Sequence, residues 1–293
     1  MNIIDGKLIS EQIKTEIANE VRQMLSRGEN PPHLAAVLVG DDPASQTYVA
    51  SKEKSCKEVG FTSSIYKYPA NITQEELLKV VDFLNNDDEI DGFIVQLPLP
   101  EHINVNVIIE AINPKKDVDG FHPVNAGRML TGLPSYLPAT PYGIMQMLEK
   151  SNIDTVGKHC VVLGRSNIVG TPISILMSRN NNYANSTVTI CHSKSQNLKE
   201  ITQQADILIA AIGKPNFVTA DMVKEGAVVI DVGIHRIPSN ETKSGFKLTG
   251  DVDFAEVSKK CSYITPVPGG VGLMTIVALL SNTLKAAKKE IYS

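Results

Sequence analysis

The sequence has no Cys-x-x-Cys pair and no Cys/His cluster at metal-ligand spacing. Its four cysteines, Cys56, Cys160, Cys191 and Cys261, are scattered through 293 residues. That argues against a disulfide framework and against a zinc site, and it fits reduced thiols in a cytoplasm. No apolar run approaches the ~20 residues that cross a bilayer. The opening Met1-Asn2-Ile3-Ile4-Asp5-Gly6 has neither a basic flank nor a long apolar core, so it does not read as a signal peptide. Positive charge is not in excess: the net charge is −4 and the isoelectric point about 5.9. Nucleic acid is therefore not the expected partner, because phosphate contacts need a basic surface. Repeats and low-complexity tracts are missing too.

Hydrophobic residues make up 42 % of the chain and charged residues 20 %, the balance of a globular protein with an ample core. At ~100–200 residues per domain, the length predicts two domains. Ile9, Ile13, Ile17, Val21 and Leu25 recur every four residues, so an amphipathic helix runs to about Gly28. Leu34 to Val39 is a short apolar run closed by Gly40-Asp41-Asp42-Pro43, a strand and then a turn. The next helix carries Tyr48 and Lys52 and stops near Gly60. Residues 62–69 are rich in strand formers. Thr73 and Glu76 have capping-box spacing, with Ile72 and Leu77 placed as a hydrophobic staple, so a helix starts there. Gly92 to Leu99 is a further strand. This β-α-β-α-β order implies a mainly parallel sheet with helices on its faces.

Thr140-Pro141 reads as an N-cap followed by proline at the first helical position, with a helix running to about Lys150. A second α/β unit follows. Its strands are expected over His159–Leu163, Thr187–Cys191, Ala205–Ile212 and Ala227–Val232. A polar loop covers Arg179–Ser186, and residues 235–249 read as an exposed excursion. A last amphipathic helix is expected over Leu273–Ile291, with Ile276, Leu280, Leu284 and Ile291 toward a core.

Val161-Val162-Leu163-Gly164-Arg165-Ser166-Asn167-Ile168-Val169-Gly170 reads as strand, loop and helix start. Glycine lets a backbone approach a pyrophosphate, and a helix N-terminus offers unpaired N–H groups. The spacing is Gly-x5-Gly rather than Gly-x-Gly-x-x-Gly, so an ordinary βα turn would also explain it. The end of the next strand says more. A loop that selects NAD places Asp or Glu there for the ribose hydroxyls, and one that selects NADP places a cation nearby. Here the strand ends Cys191-His192-Ser193-Lys194, without an acid, and Arg165 stands in the preceding loop. The reading is NADP over NAD; the alternative is that His192 and Lys194 are merely solvated.

Tyr48 and Lys52 are four apart, so on a helix they share one face. An amine beside a phenol is an acid–base pair in a cleft, and a snorkelling lysine beside a ring on a surface. Gln96 closes an apolar run and either serves a site or caps the strand end. Asp117 and Asp119, in Lys115-Lys116-Asp117-Val118-Asp119-Gly120, either line a site or hold a turn. Tyr-x3-Lys also occurs in short-chain dehydrogenases, but there it follows the nucleotide loop. Here it precedes that loop by more than a hundred residues, which argues against that family.

Together these segments resemble the bifunctional methylenetetrahydrofolate dehydrogenase/cyclohydrolase family. The matching stretches are Val39 to Val49 with Lys52, Asp91 to Pro100, Lys116 to Pro123, Val162 to Pro172 and Thr265 to Gly272. They stand in family order and span nearly the whole chain. The resemblance implies an α/β fold of two domains. A folate-binding catalytic domain would take residues 1–139 plus 270–293, and a Rossmann-type, parallel-sheet NADP-binding domain residues 140–269. The C-terminal helix would return to the first domain. Two reactions in one cleft are implied: methylenetetrahydrofolate gives a hydride to NADP, and water then opens the methenyl cation to 10-formyltetrahydrofolate.

The resemblance also implies roles. Lys52 would be the acid–base group, Tyr48 would stack on and orient the folate, Gln96 would bond and tune Lys52, and Asp119 would anchor the pterin. Gly269 and Gly270 would line the folate side. Gly164, Arg165, Ser166, Ser193 and Ile234 would hold the dinucleotide. No metal is implied. A cytoplasmic homodimer joined through its cofactor domain, serving one-carbon metabolism and purine biosynthesis, is the expected setting. The residue types suit the chemistry. Hydride loss needs no strong base, whereas hydration needs proton handling. A lysine of free pKa ~10.4 is a poor base until burial and a cationic substrate depress it. The sequence departs from the family at Ala139, where cysteine is frequent, and at Leu273, where proline is frequent. Ala139 leaves no thiol for a role there. Three other readings compete: a dehydrogenase-only relative, a silent folate- or NADP-binding protein, and an amino-acid-type dehydrogenase. The intact Tyr48/Lys52/Gln96/Asp119 set favours the bifunctional enzyme.

Overall fold

The structure is a computed structural model and describes residues 1–239, 242 and 245–292. In chain order the elements begin with β1 (Asn2–Ile3), α1 (Gly6–Ser26), β2 (His33–Val39), α2 (Pro43–Val59) and β3 (Thr62–Tyr68). Then come α3 (Gln74–Asn86), β4 (Gly92–Val95), α4 (Val105–Ala111), α5 (Pro123–Leu130) and α6 (Ala139–Lys150). These are followed by β5 (His159–Leu163), α7 (Gly170–Ser178), β6 (Thr187–Cys191), α8 (Leu198–Thr202), β7 (Ile207–Ala210) and β8 (Val228–Asp231). The chain closes with β9 (His235–Pro238), β10 (Phe246–Thr249), α9 (Phe254–Val257), β11 (Tyr263–Ile264) and α10 (Val271–Ala287). The chain divides into two units, one of Glu11–Ala139 with Ile276–Ser293, the other of Met1–Ser10 with Thr140–Thr275.

The unit of residues 11–139 is built on a parallel sheet in the order β3-β2-β4. Leu34 to Val39 are all buried, as a central parallel strand covered on both faces must be. In α1 Ile13, Ile17 and Val21 are buried, but Leu25 stays 48 % exposed and Met24 takes the next core position. A strict repeat of four drifts off the face of a helix with 3.6 residues per turn, so a fifth member fails. Helix α2 starts where Asp42 accepts a hydrogen bond from the Ser45 N–H at 2.8 Å, with Pro43 at the first position. It stops at Gly60, whose φ of 84° is the left-handed C-cap. Thr73 and Glu76 make both bonds of the capping box. Phe93, Val95, Leu77, Val81, Leu84 and Ile108 form the core against the sheet.

Strand β4 is shorter than the expected Gly92–Leu99. The Gln96 N–H still bonds the Val37 carbonyl at 2.9 Å, and then Pro98 has no donor to offer. Helices α4 and α5 are too short for periodicity to reveal them. The C-terminal half of α10 belongs to this unit. Its buried Asn282 donates 2.8 Å bonds to the Val118 and Leu137 carbonyls. Leu284 is only half-buried, and Ile291 lies beyond the helix end.

The other unit is a six-stranded sheet in the order β1-β11-β8-β7-β5-β6, parallel throughout. Its core gathers Val161, Leu163, Leu208, Ala210, Val229 and Ile264. Asn2 pairs with Tyr263 and Ile3 with Ile264, so residues 1–10 pack with this sheet. Helix α6 begins at Ala139, so Thr140 is not its N-cap; the Thr140 hydroxyl lies 3.0 Å from that of Thr275. Helix α10 begins at Val271, two residues before Leu273. The excursion at 235–249 is an antiparallel hairpin of β9 and β10. Residues 240, 241, 243 and 244 of it lie outside the described residues.

Candidate functional site

The buried stripe of α2 is Ser45, Val49, Lys52, Ser55, Cys56 and Val59. Helical geometry therefore carries an amine into the interior at a position where the pattern calls for an apolar side chain. Lys52 is 7 % exposed, and its Nζ donates to Gln96 Oε1 at 3.0 Å. Gln96 is held in turn: its amide N–H donates to the Leu97 carbonyl at 2.7 Å, which fixes which end of the amide meets the amine. Burial pulls the Lys52 pKa below its ordinary value, opposed by the negative charge of Asp119 and by Cys56. Asp119 feels the mirror effect: burial pushes it up and the Lys52 charge brings it down. Tyr48, one turn before Lys52, is half-buried, and burial raises its phenol.

The turn that presents Asp119 is organised by its neighbour. Asp117 is buried and accepts from the backbone N–H groups of Phe121 at 3.2 Å and His122 at 2.8 Å, and from Asn125 Nδ2 at 2.8 Å. Phe93 N–H bonds the Lys116 carbonyl at 3.0 Å, which seats the turn beside β4. A Cβ at Gly120, where φ is 72°, would strike the Leu137–Pro138 backbone at 2.6 Å, so the turn can approach only as glycine. Of the two sequence alternatives for these carboxylates, Asp117 holds the turn, and Asp119 is the one that faces Lys52 electrostatically. Lys52, Gln96, Asp119 and Tyr48 thus come from one unit. Gly269 and Gly270 lie in the other, in the turn before α10. There the Gly269 and Gly270 carbonyls stand so close to Gly6 that a Cβ on it would strike them.

The residues expected from sequence to hold a dinucleotide gather at the C-terminal ends of the sheet strands in the unit containing residues 140–275. Gly164 ends β5 with φ 123°, and a Cβ on it would fall against the Ala211 carbonyl oxygen. Ser166 Oγ accepts from the N–H groups of Val169 and Gly170 at 3.2 and 3.3 Å, shaping the start of α7. Arg165, Ser166, Ser193 and Ile234 are all exposed. Strands β7 and β6 lie on opposite sides of β5, the reversal where α/β sheets open a crevice. A glycine-lined loop, a helix N-terminus, an exposed guanidinium and no acid after β6 fit a dinucleotide carrying an extra phosphate. Among the described residues, no group of three or more His, Cys, Asp or Glu is placed to hold a metal ion.

Two family models cover the sequence. The catalytic-domain model of tetrahydrofolate dehydrogenase/cyclohydrolase matches residues 4–119, and its NAD(P)-binding-domain model matches residues 138–291. The chain belongs to this family. A bifunctional protein FolD from Cytophaga hutchinsonii is 62 % identical over 98 % of this chain and 99 % of its own. Among solved structures, the bifunctional FolD of Campylobacter jejuni superposes with a TM-score of 0.92 at 50 % identity, over 99 % of each chain. That of Trypanosoma brucei, complexed with NADP cofactor and inhibitor, gives 0.93 at 36 % identity, over 99 % of this chain and 98 % of that one. Sequence reasoning missed Asp231, His235 and Asp251, which lie buried or half-buried, the two acids bonding the backbone N–H groups of Ile212, Gly213, Lys214 and Gly233. The only signal for them was the pair of glycines, Gly233 and Gly250, beside two acids in short apolar runs.

Proposed function

We infer that this protein oxidises 5,10-methylenetetrahydrofolate to the methenyl form with NADP and then hydrolyses it to 10-formyltetrahydrofolate. The observation that carries the reading is the buried Lys52 amine bonded to Gln96 in a chain that matches both family models. When bound, NADP accepts the hydride. The chain's own residues handle the proton transfers of the hydrolysis. Water attacking the methenyl carbon must lose a proton, and Lys52 is the base, because burial favours its neutral form. As the bond from that carbon to the ring nitrogen breaks, the same amine, now protonated, gives its proton to that nitrogen, while the carbinol hydroxyl releases its own to solvent as the formyl carbonyl forms, the one proton the reaction yields overall. Gln96 aims the amine without adding negative charge that would raise its pKa. Asp119 receives the amino edge of the pterin, and Tyr48 offers its ring as a stacking face.

Gly164, Arg165, Ser166, Ser193 and Ile234 hold the dinucleotide, with Gly269 and Gly270 toward the folate. A homodimer is supported by β6. It is an edge strand with Ile190 41 % exposed, an apolar margin open to a second copy. Four buried free cysteines support a cytoplasmic setting. A place in purine biosynthesis follows from the formyl-group product. The test is a two-trace assay, methenyl formation with NADP or NAD and then methenyl hydrolysis in a separate cuvette. Absence of either NADP-linked formation or hydrolysis overturns the bifunctional reading.

A further inference from the structure

Behind the dinucleotide loops lie two carboxylates with no place in the chemistry. Asp231 ends β8, is buried, and accepts from the backbone N–H groups of Gly233 at 3.0 Å, Asp251 at 2.8 Å and Val252 at 3.0 Å. Asp251 arrives from a different stretch of chain, after β10, and is wholly buried. Its Oδ2 accepts from Ile212 N–H at 2.6 Å and Gly213 N–H at 3.0 Å. Its Oδ1 accepts from Lys214 N–H at 2.9 Å and lies 2.7 Å from His235 Nε2. Four donors thus converge on one carboxylate, which offsets the cost of burying it.

The partners are what matter. Ile212 to Lys214 is the loop after β7, and its first neighbour, Ala211, is the residue whose carbonyl oxygen abuts Gly164. His235 directly follows Ile234, which is 43 % exposed. Around Asp251 the backbone is knitted to the same loop: Asn216 N–H bonds the Gly250 carbonyl at 3.0 Å, and Val218 N–H bonds the Asp251 carbonyl at 2.9 Å. Space is closed as well. A Cβ on Gly233 would collide with Asp251 Oδ1, and one on Gly250 with the Asp231 carboxylate.

We propose that Asp251, seated by Asp231 and joined by His235, is a positioning residue for the dinucleotide: it locks the loop after β7 and the Ile234–His235 segment into one rigid wall behind the Gly164 loop. This rests on the assignment of Gly164, Arg165, Ser166 and Ile234 to the dinucleotide. Asp251 need not touch the ligand. It removes the loop freedom that binding would otherwise have to suppress. An asparagine keeps one acceptor oxygen and turns a donor toward groups that themselves donate, so part of the clamp must open.

The experiment compares Asp251→Asn, His235→Leu, His235→Gln and Arg165→Ala with wild type. Two readouts are used: NADP affinity by calorimetry, and methenyl hydrolysis, which uses no dinucleotide. Expected are a rise of about tenfold or more in NADP Kd for Asp251→Asn, a smaller rise for His235→Leu, partial rescue in His235→Gln, and hydrolysis within twofold of wild type in the Asp251 and His235 variants. His235, being partly exposed, tests the clamp even where Asp251→Asn folds poorly. Unchanged Kd in the His235 and Asp251 variants with a raised one in Arg165→Ala overturns the clamp alone. Unchanged Kd in all of them overturns the loop assignment with it. Equal loss of NADP binding and hydrolysis also overturns the clamp, showing a general role in folding.

Discussion

At residue scale the proposed chemistry turns on one amine. Val49, Lys52, Cys56 and Val59 share the inward stripe of α2, so the helix that builds the core also buries the amine. Lys52→Met keeps most of the apolar stem of the side chain and removes the amine. It should lower methenyl hydrolysis at least ~100-fold, the usual worth of a general base, while NADP-linked oxidation stays within about tenfold. Equal loss in the two traces would remove Lys52 from the proton path. In the proposed role the amine acts in its neutral form, so hydrolysis should rise with pH through a midpoint below the ordinary 10.5. Asp119→Asn should raise the folate KM about tenfold, the value of one hydrogen bond to a charged group; an unchanged KM would detach Asp119 from the pterin. The spacing of Tyr48 and Lys52 was visible in the sequence, as was Gln96 at a strand end. What spacing could not separate was Asp117 from Asp119. That division depends on which carboxylate meets the Phe121 and His122 N–H groups, a consequence of how the turn is seated on β4.

At the scale of elements, local signals performed well where the chemistry is local. Thr73 and Glu76 bond as their spacing predicts, and Gly60 ends α2 in the left-handed conformation. Thr73→Ala should therefore cost about 1 kcal/mol, read from the urea midpoint at unchanged slope. A midpoint within error of wild type would mean that α3 is held by packing alone. Strands β5 and β6 match the apolar runs His159–Leu163 and Thr187–Cys191 end to end. The failures have two causes. Thr140-Pro141 has the composition of a helix start, but α6 already begins at Ala139, where Gly143 lets the helix approach the Met274 backbone. Leu25 fits a repeat of four and not a helix. The β9–β10 hairpin follows from pairing between His235–Pro238 and Phe246–Thr249, strands only four residues long and mostly exposed, without the apolar run that marks a strand. For α6 and the hairpin a contact distant in sequence overrode a local pattern; for Leu25 the helix period itself did.

For the whole molecule, the buried carboxyls set how stability answers to pH. Burial pushes Asp117 up to about 7, against an ordinary 3.8 in the unfolded chain. Between those values the folded protein holds a proton that the unfolded chain has released. Stability therefore falls as pH rises through the window, by at most about 1.4 kcal/mol per unit. Urea unfolding at pH 5 and pH 7 should show wild type losing more stability than Asp117→Asn, which has no proton to release; parallel losses would assign the slope elsewhere. Both units are also assembled from segments far apart in the chain. Strand β1 waits for β11, some 260 residues later, before it has a neighbour to bond, and Val118 and Leu137 wait for Asn282. During synthesis on the ribosome neither half can close until almost the last turn of polypeptide has emerged. A stalled or truncated nascent chain would thus carry two unfinished cores rather than one finished enzyme half, and would depend on chaperones or be cleared by proteases.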